Sequence, residues 1–233
     1  MKIFAIGDLH LPGKLDKSMD MFGEAWVNHF EKIKASWRAK VLHSDVVLIP
    51  GDISWAMSLE NAMEDLESIA ALPGRKVLLK GNHDYWWSSL TRIKVVLPKD
   101  MFLVQNDVVE FDELLIGGSR GWLIPCQNVE LPKEDVKIYE REVNRLALSL
   151  HKMRNSNKPK IGMLHFPPLL EYERNTGFSA LFTEYQIPKV VYGHLHGDSI
   201  KTAFSGMHNG VDYTLCSADA LNFSVKEIME VKA

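Results

Sequence analysis

Cysteine is scarce. Cys126 and Cys216 are the only two in 233 residues, they lie far apart and they form no CxxC pair. That argues against a disulfide framework and suits a reducing compartment, so a cytoplasmic location is expected. Long apolar runs are missing as well: none approaches the ~20 residues that span a bilayer. In "MKIFAIGDLH", Asp8 ends the apolar run too early for a signal-peptide core. Nor is one sign of charge in excess. Lys and Arg total 27 against 30 for Asp and Glu, a net charge of −3, which gives no bulk reason to expect nucleic-acid or membrane affinity. Repeats, low-complexity segments and linkers are absent too. With 46% hydrophobic and 24% charged residues, the expectation is one domain over residues 1–233 around a large core. The sequence sets no oligomeric state.

What is present begins with short β-rich runs. "KIFAI" (2–6), "DVVLIP" (45–50) and "RKVLLK" (75–80) are apolar runs closed by Gly or Pro, the pattern of strands buried on both faces. Between the first two, Phe22, Trp26, Phe30, Ile33 and Trp37 recur at helical spacing; between the second and third, Leu59, Met63, Leu66 and Ile69-Ala70 do the same until Pro73-Gly74. Strand, helix, strand, helix predicts a βαβ sheet with covered faces. Past residue 100 the pattern changes. Short strands joined by polar turns fill 101–119, an amphipathic helix covers 134–153, strands return at 159–165 and 188–194, and hairpins are expected between Ser199 and Cys216. Two sheets of one core are expected, meeting near residue 100.

Five strands run into Asp, Asn or His: Asp8 and His10, Asp52, Asn82-His83-Asp84, His165, and His194 with His196. Sites in open α/β sheets form outside the carboxyl ends of strands, so these residues are expected to share one crevice. Positions i and i+2 of an extended segment face one side, which would let Asp8 with His10, and His194 with His196, each present two ligands to one place. Glycines before Asp8, Asp52, Asn82 and His194 relieve crowding there. Four imidazoles, two carboxylates and an amide exceed the needs of one ion. Mixed N and O donors without thiolate suit Mn, Fe, Zn or Co. Two ions sharing a carboxylate, roughly 3.5–4 Å apart, clamp both oxygens of a displacement and lower the pKa of bound water towards ~7. Counting two divalent ions, Asp8, Asp52 and a hydroxide leaves about +1, so the site attracts an anion, with phosphate the natural candidate.

In this order, the set D-x-H, GD, GNHD, H and GHxH resembles the calcineurin-like metallophosphoesterases, which include purple acid phosphatases, protein serine/threonine phosphatases and many nucleases. The resemblance runs from Asp8 to His196. It implies a four-layer α/β/β/α sandwich of two mixed sheets flanked by helices. It implies a first metal on Asp8, His10, Asp52 and His196, and a second on Asp52, Asn82, His165 and His194, with Asp52 bridging. His83 would contact the phosphate and protonate the leaving oxygen, with Asp84 orienting its ring. Attack by a metal-bound hydroxide, in line and without a phosphoenzyme, is also implied. The substrate expected is a small phosphomonoester or phosphodiester.

Departures from the family narrow this. Protein phosphatases carry GDxxDRG, whereas this chain reads Gly51-Asp52-Ile53-Ser54-Trp55-Ala56; their phosphate-binding arginine has no counterpart, and they place Glu where Asp84 stands. Phosphoprotein is therefore disfavoured as substrate. For Trp55, Trp86 and Trp87 two readings compete: an aromatic wall that stacks a base or apolar leaving group, or packing of the following helix. Arg120 and Arg174 are either phosphate ligands or solvated charges. A nuclease is disfavoured because no Lys/Arg-dense stretch stands out. A non-catalytic scaffold of the same fold is disfavoured because no ligand is missing.

Overall fold

The computed structural model describes residues 1–14, 19–126 and 130–231. Among them, two mixed sheets stack face to face. The first holds β1 (Lys2–Ala5), β2 (Val46–Ile49), β3 (Arg75–Leu79), β4 (Met101–Val104) and β11 (Lys226–Glu230), in the order β11-β1-β2-β3-β4. Its first four strands are parallel and β11 is antiparallel to β1. The second holds β5 (Val108–Phe111), β6 (Leu114–Ser119), β7 (Lys160–Leu164), β8 (Lys189–Tyr192), β9 (Gly206–His208) and β10 (Val211–Leu215), ordered β5-β6-β7-β8-β10-β9. There β6, β7, β8 and β10 are parallel, with antiparallel β5 and β9 at the edges.

Strand periodicity explains the layering. Odd positions of β1 and even positions of β2 put Ile3, Ala5, Val46 and Leu48 between the sheets, where Ile116, Ile161, Met163 and Val191 meet them. The opposite faces of these strands, Phe4, Val47 and Ile49, together with Leu78 of β3, pack on α1 (His29–Lys40) and α2 (Leu59–Ala70) through Ile33, Trp37, Leu66 and Ile69. On the far side, Val190, Tyr192 and Tyr213 pack on α4 (Lys133–Met153) and α5 (Gly177–Glu184) through Leu146, Leu150, Phe178 and Phe182. A strand buried on both faces has no polar alternation, which is why the sequence shows unbroken apolar runs. The result is the expected four-layer sandwich. Lys76, on β3, is the exception that proves useful: its buried ammonium meets the carbonyls of Ala70 and Leu72 at the end of α2, where a helix dipole favours a cation.

Three details depart from expectation. The sheet boundary lies after β4 rather than at residue 100, since β4 pairs with β3. The helix read from Phe22 to Trp37 starts only at His29: Gly23 (φ 125°) and Asn28 (φ 53°) break the chain, leaving short 3-10 turns at Met19–Phe22 and Glu24–Trp26. Part of the stretch expected to form hairpins is a 3-10 turn, Gly197–Thr202; only β9 and β10 pair, through Asn209-Gly210 at positive φ. No helix among the described residues is long and apolar enough to cross a membrane.

Candidate metal centre

Parallel strands in both sheets end at one edge of the sandwich, and the loops that leave them carry the polar residues. Asp8 (φ 56°), His10 (φ 45°), Asp52 (φ 51°) and His194 (φ 75°) are all left-handed, each a conformation that costs roughly 1–3 kcal/mol unless its surroundings impose it. Hydrogen bonds between the first two loops impose it on Asp8, His10 and Asp52: Asp8 N–H donates to Gly51 O (2.9 Å), His10 N–H to Asp52 O (3.0 Å), Leu11 N–H to Ile53 O (3.0 Å) and Trp55 N–H back to Leu11 O (2.8 Å). This corrects the expectation that strand alternation aims the ligands. The pairs leave extended geometry, and His194 and His196 point to neighbouring places rather than one. Close approach also fixes two glycines, since a Cβ on Gly81 would strike the Asp52 carboxylate and one on Gly193 that of Asp8.

Two donor clusters result. In the first, His196 Nε2 lies 3.4 Å from both Asp8 Oδ1 and His10 Nε2. In the second, Asn82 Oδ1 lies 2.6 Å from His165 Nε2 and 3.0 Å from His194 Nδ1. Asp52 Oδ2 stands between them, 3.8 Å from His10 Nε2 and 3.5 Å from His165 Nε2. His165 is decisive for what fits here. Its Nδ1 meets the carbonyl of Pro50 at 3.0 Å, which only accepts, so the proton sits on Nδ1. Burial pushes the ring's pKa down. The neutral ring therefore turns a lone pair on Nε2 towards the amide oxygen of Asn82. Electron-pair donors that face one another without a proton between them suit a cation. The groups Asp8-His10-His196 and Asp8-Asp52-His165 can each gather donor atoms within 4.8 Å. In the latter, Asp8 approaches His165 at the Nδ1 already engaged by Pro50, so Asn82 and His194 complete that cluster better.

The electrostatics are those of a site built for positive charge. Burial drives His10 and His194 down to about 3, leaving neutral imidazoles. Burial pushes Asp52 well above the usual carboxylate range, with Asp84 and Asp8 adding repulsion. Burial also opposes charge on Asp8, but the hydrogen bond and charge of His196 outweigh it and hold Asp8 low. His196 itself rises to about 10: burial lowers it, and hydrogen bonds to Asp219 and Asp8 more than reverse this.

The residue pattern of this edge corresponds to one family. The model of the calcineurin-like phosphoesterases matches residues 1–198. The chain belongs to that family. No curated protein matches this phosphoesterase. Among solved structures it resembles a phosphopantetheinyl hydrolase from Mycobacterium tuberculosis at 14% identity and TM-score 0.58, covering 98% of this chain and 95% of that one. It also resembles TT1561 of Thermus thermophilus (12%, TM-score 0.53, 86% and 85% covered). A third likeness is to GAP50, the anchor in the inner membrane complex of Plasmodium (12%, TM-score 0.50, 94% and 71% covered). At these identities the likeness concerns the fold.

The substrate-side expectations for this phosphoesterase divide. Trp55 stacks on His10 (4.9 Å between centroids) and lies 4.4 Å from His83. With Met19, Phe22 and Trp26 it lines a cavity of about 340 Å³ that also contains His83 and His196. Trp86 does not line it. At 1% exposure it is core, and its indole N–H donates to Asp84 Oδ1 (3.0 Å); Trp87 is likewise buried, bonded to Gln105. Packing wins because the turn after Asp84 drives both rings beneath the loop. Arg174 is also corrected: its guanidinium pairs with Glu171 (2.6 Å) and stacks on Phe204, apart from this cavity. Arg120 stacks on Trp122 and lines a different cavity. Asp84 has another task than orienting the His83 ring. Its Oδ1 accepts from Ile53 N–H, Ser54 N–H and the Trp86 indole, and its Oδ2 from Gly81 N–H, so it ties the Asp52 loop to the Asn82 turn. His29 is buried against Trp26 and bonded to Leu9 O (2.8 Å).

Two features escaped the sequence reading. Asp219 Oδ1 lies 2.8 Å from His196 Nδ1, so the Nδ1 proton is held and Nε2 is turned to the first cluster. The signal was available: Asp219 follows β10, which runs parallel to β8 and ends at the same edge. Trp26 stands edge-on to His196 at 5.7 Å and was missed because its stretch was assigned to a helix face. Carboxylates behind metal-ligating histidines are worth about 10–100-fold in affinity. Asp219→Asn is accordingly expected to weaken metal binding at the first cluster by about that factor, measured by competition with a chelating indicator. Unchanged affinity at both clusters would contradict the role given to Asp219.

Proposed function

We propose that the chain is a metal-dependent phosphohydrolase of a small phosphomonoester or phosphodiester, acting as one domain. Asp8, His10, Asp52 and His196 hold one ion, and Asp52, Asn82, His165 and His194 hold a second; Mn, Fe or Zn suits these donors. The observation that carries this reading is the single Asp52 oxygen poised 3.8 Å from one cluster and 3.5 Å from the other. Bound there, two such ions supply Lewis acidity towards the phosphoryl oxygens and make hydroxide available at neutral pH.

The remaining chemistry belongs to side chains. His83 lines the cavity beside the first cluster, and its backbone N–H donates to Asp52 Oδ1 (2.8 Å), so the loop that bears the bridging carboxylate also sets the imidazole. We assign His83 to contact the phosphate and pass a proton to the leaving oxygen. Asp84 is a positioning residue, acting on the backbone of both loops. The walls formed by Phe22, Trp26 and Trp55 favour an apolar or aromatic leaving group over a phosphoprotein segment. A nuclease finds no support in the net charge of −3. The complete donor set favours hydrolysis over a scaffold role, which the fold alone would also allow.

Hydrolysis of an aryl phosphate monoester and a bis-aryl phosphodiester, by chelated protein restored with single metals, tests the reading. At least one ester should be cleaved in a metal-dependent manner; silence on both, and on a panel of nucleotides, with both ions bound would argue for a scaffold. Trp26→Ala should lower kcat/KM for aryl relative to methyl leaving groups by about tenfold, the worth of one lost ring contact. An equal loss on both would instead assign Trp26 to folding.

A further inference from the structure

A second cavity opens at the ends of β3, β4 and β6, lined by Lys80, Gln105 and Arg120. It has a volume of about 250 Å³, and Lys80, Arg120, Arg141 and Arg145 converge on it around one acidic side chain, Glu142. In a chain with more acids than bases, four basic side chains at one cavity are a local departure from the bulk charge. Arg141 and Arg145 are one turn apart on α4, Lys80 leaves the end of β3, and Arg120 leaves the end of β6, so three separate elements supply the charge.

Glu142 does not neutralise the cluster. It is 1% exposed and pairs closely with Arg145 (2.6 Å) and loosely with Arg120 (3.9 Å), which spreads the two guanidiniums. Arg120 Nε is buried and unpartnered. Such a donor costs free energy unless something accepts from it. The Arg120 plane is fixed by stacking on Trp122 at 4.5 Å, a pre-organised fork for a tetrahedral or planar oxyanion. Covalent and hydrogen-bonded links tie this cavity to the metal centre: Lys80 is two residues before Asn82, and Arg120 O accepts the N–H groups of His165 and Phe166 (3.0 Å each).

We propose that Lys80, Arg120, Arg141 and Arg145 form a binding pocket for a phosphate group separate from the one at the metal clusters. Two sources share that chemistry, a second phosphate carried by the substrate and free inorganic phosphate. The former deepens the phosphohydrolase reading and rests on it; the pocket itself does not.

The test is calorimetric titration of inorganic phosphate into the full chain, purified with its metals. Two binding events are expected, one removed by Asp52→Ala and the other weakened at least about tenfold by Arg141→Glu. Arg141 is exposed, so this variant folds even if Arg120→Gln, the companion variant, does not. A single event, removed by Asp52→Ala and unmoved by Arg141→Glu, overturns the pocket. An Arg141-dependent event in a chain that binds no metal and cleaves no phosphoester supports the pocket and defeats the phosphohydrolase reading instead. If the substrate supplies the group, Arg141→Glu lowers kcat/KM for an aryl phosphate bearing a second phosphate at least about tenfold more than for the plain aryl phosphate. If free phosphate does, the variant removes the binding event and leaves that ratio unchanged.

Discussion

Asp52→Ala should empty both metal positions and lower hydrolysis by roughly 10³-fold or more, since each lost 1.4 kcal/mol of transition-state stabilisation is tenfold in rate and metals supply several. The reason is geometric. One carboxylate oxygen stands within 4 Å of His10 on one side and His165 on the other, so its loss is felt at both clusters. His10→Ala, by contrast, should weaken mainly the first. Metal content by mass spectrometry checks both variants, and equal retention of two ions in Asp52→Ala would remove the bridging assignment. The fold should survive. Burial and the neighbouring Asp84 and Asp8 raise the pKa of Asp52, so in metal-free protein its ionised form opposes folding, increasingly as pH rises through the unfolded-state carboxylate range. Metal-free Asp52→Ala is therefore expected to melt no lower than metal-free wild type at neutral pH.

His83→Ala should lower kcat by roughly 10²–10⁴-fold, the usual worth of a positioned general acid, while both ions stay bound. His83 lines the cavity without belonging to either donor cluster. The loss should shrink for an ester whose leaving group needs no proton, such as a nitrophenolate, relative to an alkoxide. That comparison separates proton delivery from phosphate contact: a loss independent of leaving-group pKa would leave His83 with contact alone. Loss of metal in this variant would place the residue in the ligand set instead.

Much of this was legible in the sequence because buried strands and strand ends leave different marks. Apolar runs at 46–49 and 77–79 have the pattern of strands covered on both faces, and each runs into a glycine and a metal-type donor. What the sequence concealed was conformation. Nothing in "GDLH" announces left-handed Asp8 and His10, because that geometry comes from hydrogen bonds to a loop forty residues away. The same blindness misplaced Trp26, whose helical spacing to Ile33 and Trp37 is real but is interrupted by Gly23 and Asn28. Trp86 could not be told from a wall residue, because burial beside a site and exposure to it look alike in one dimension. Asp219 lay beyond the last recognised motif, and only the parallel pairing of β10 with β8 brings it behind His196. The short helix α5, unlike α3 (Leu90–Val96), went unread as well; its eight residues carry Ser179, Thr183 and Glu184 among the apolar ones, and it is marked chiefly by its Thr176–Ser179 capping box.

Anomalous diffraction from crystals of the chain grown with Mn tests the central claim most directly. Two peaks roughly 3.5–4 Å apart are predicted, one among Asp8, His10 and His196, the other among Asn82, His165 and His194, with Asp52 between them. One peak, or two that do not share Asp52, would contradict the account.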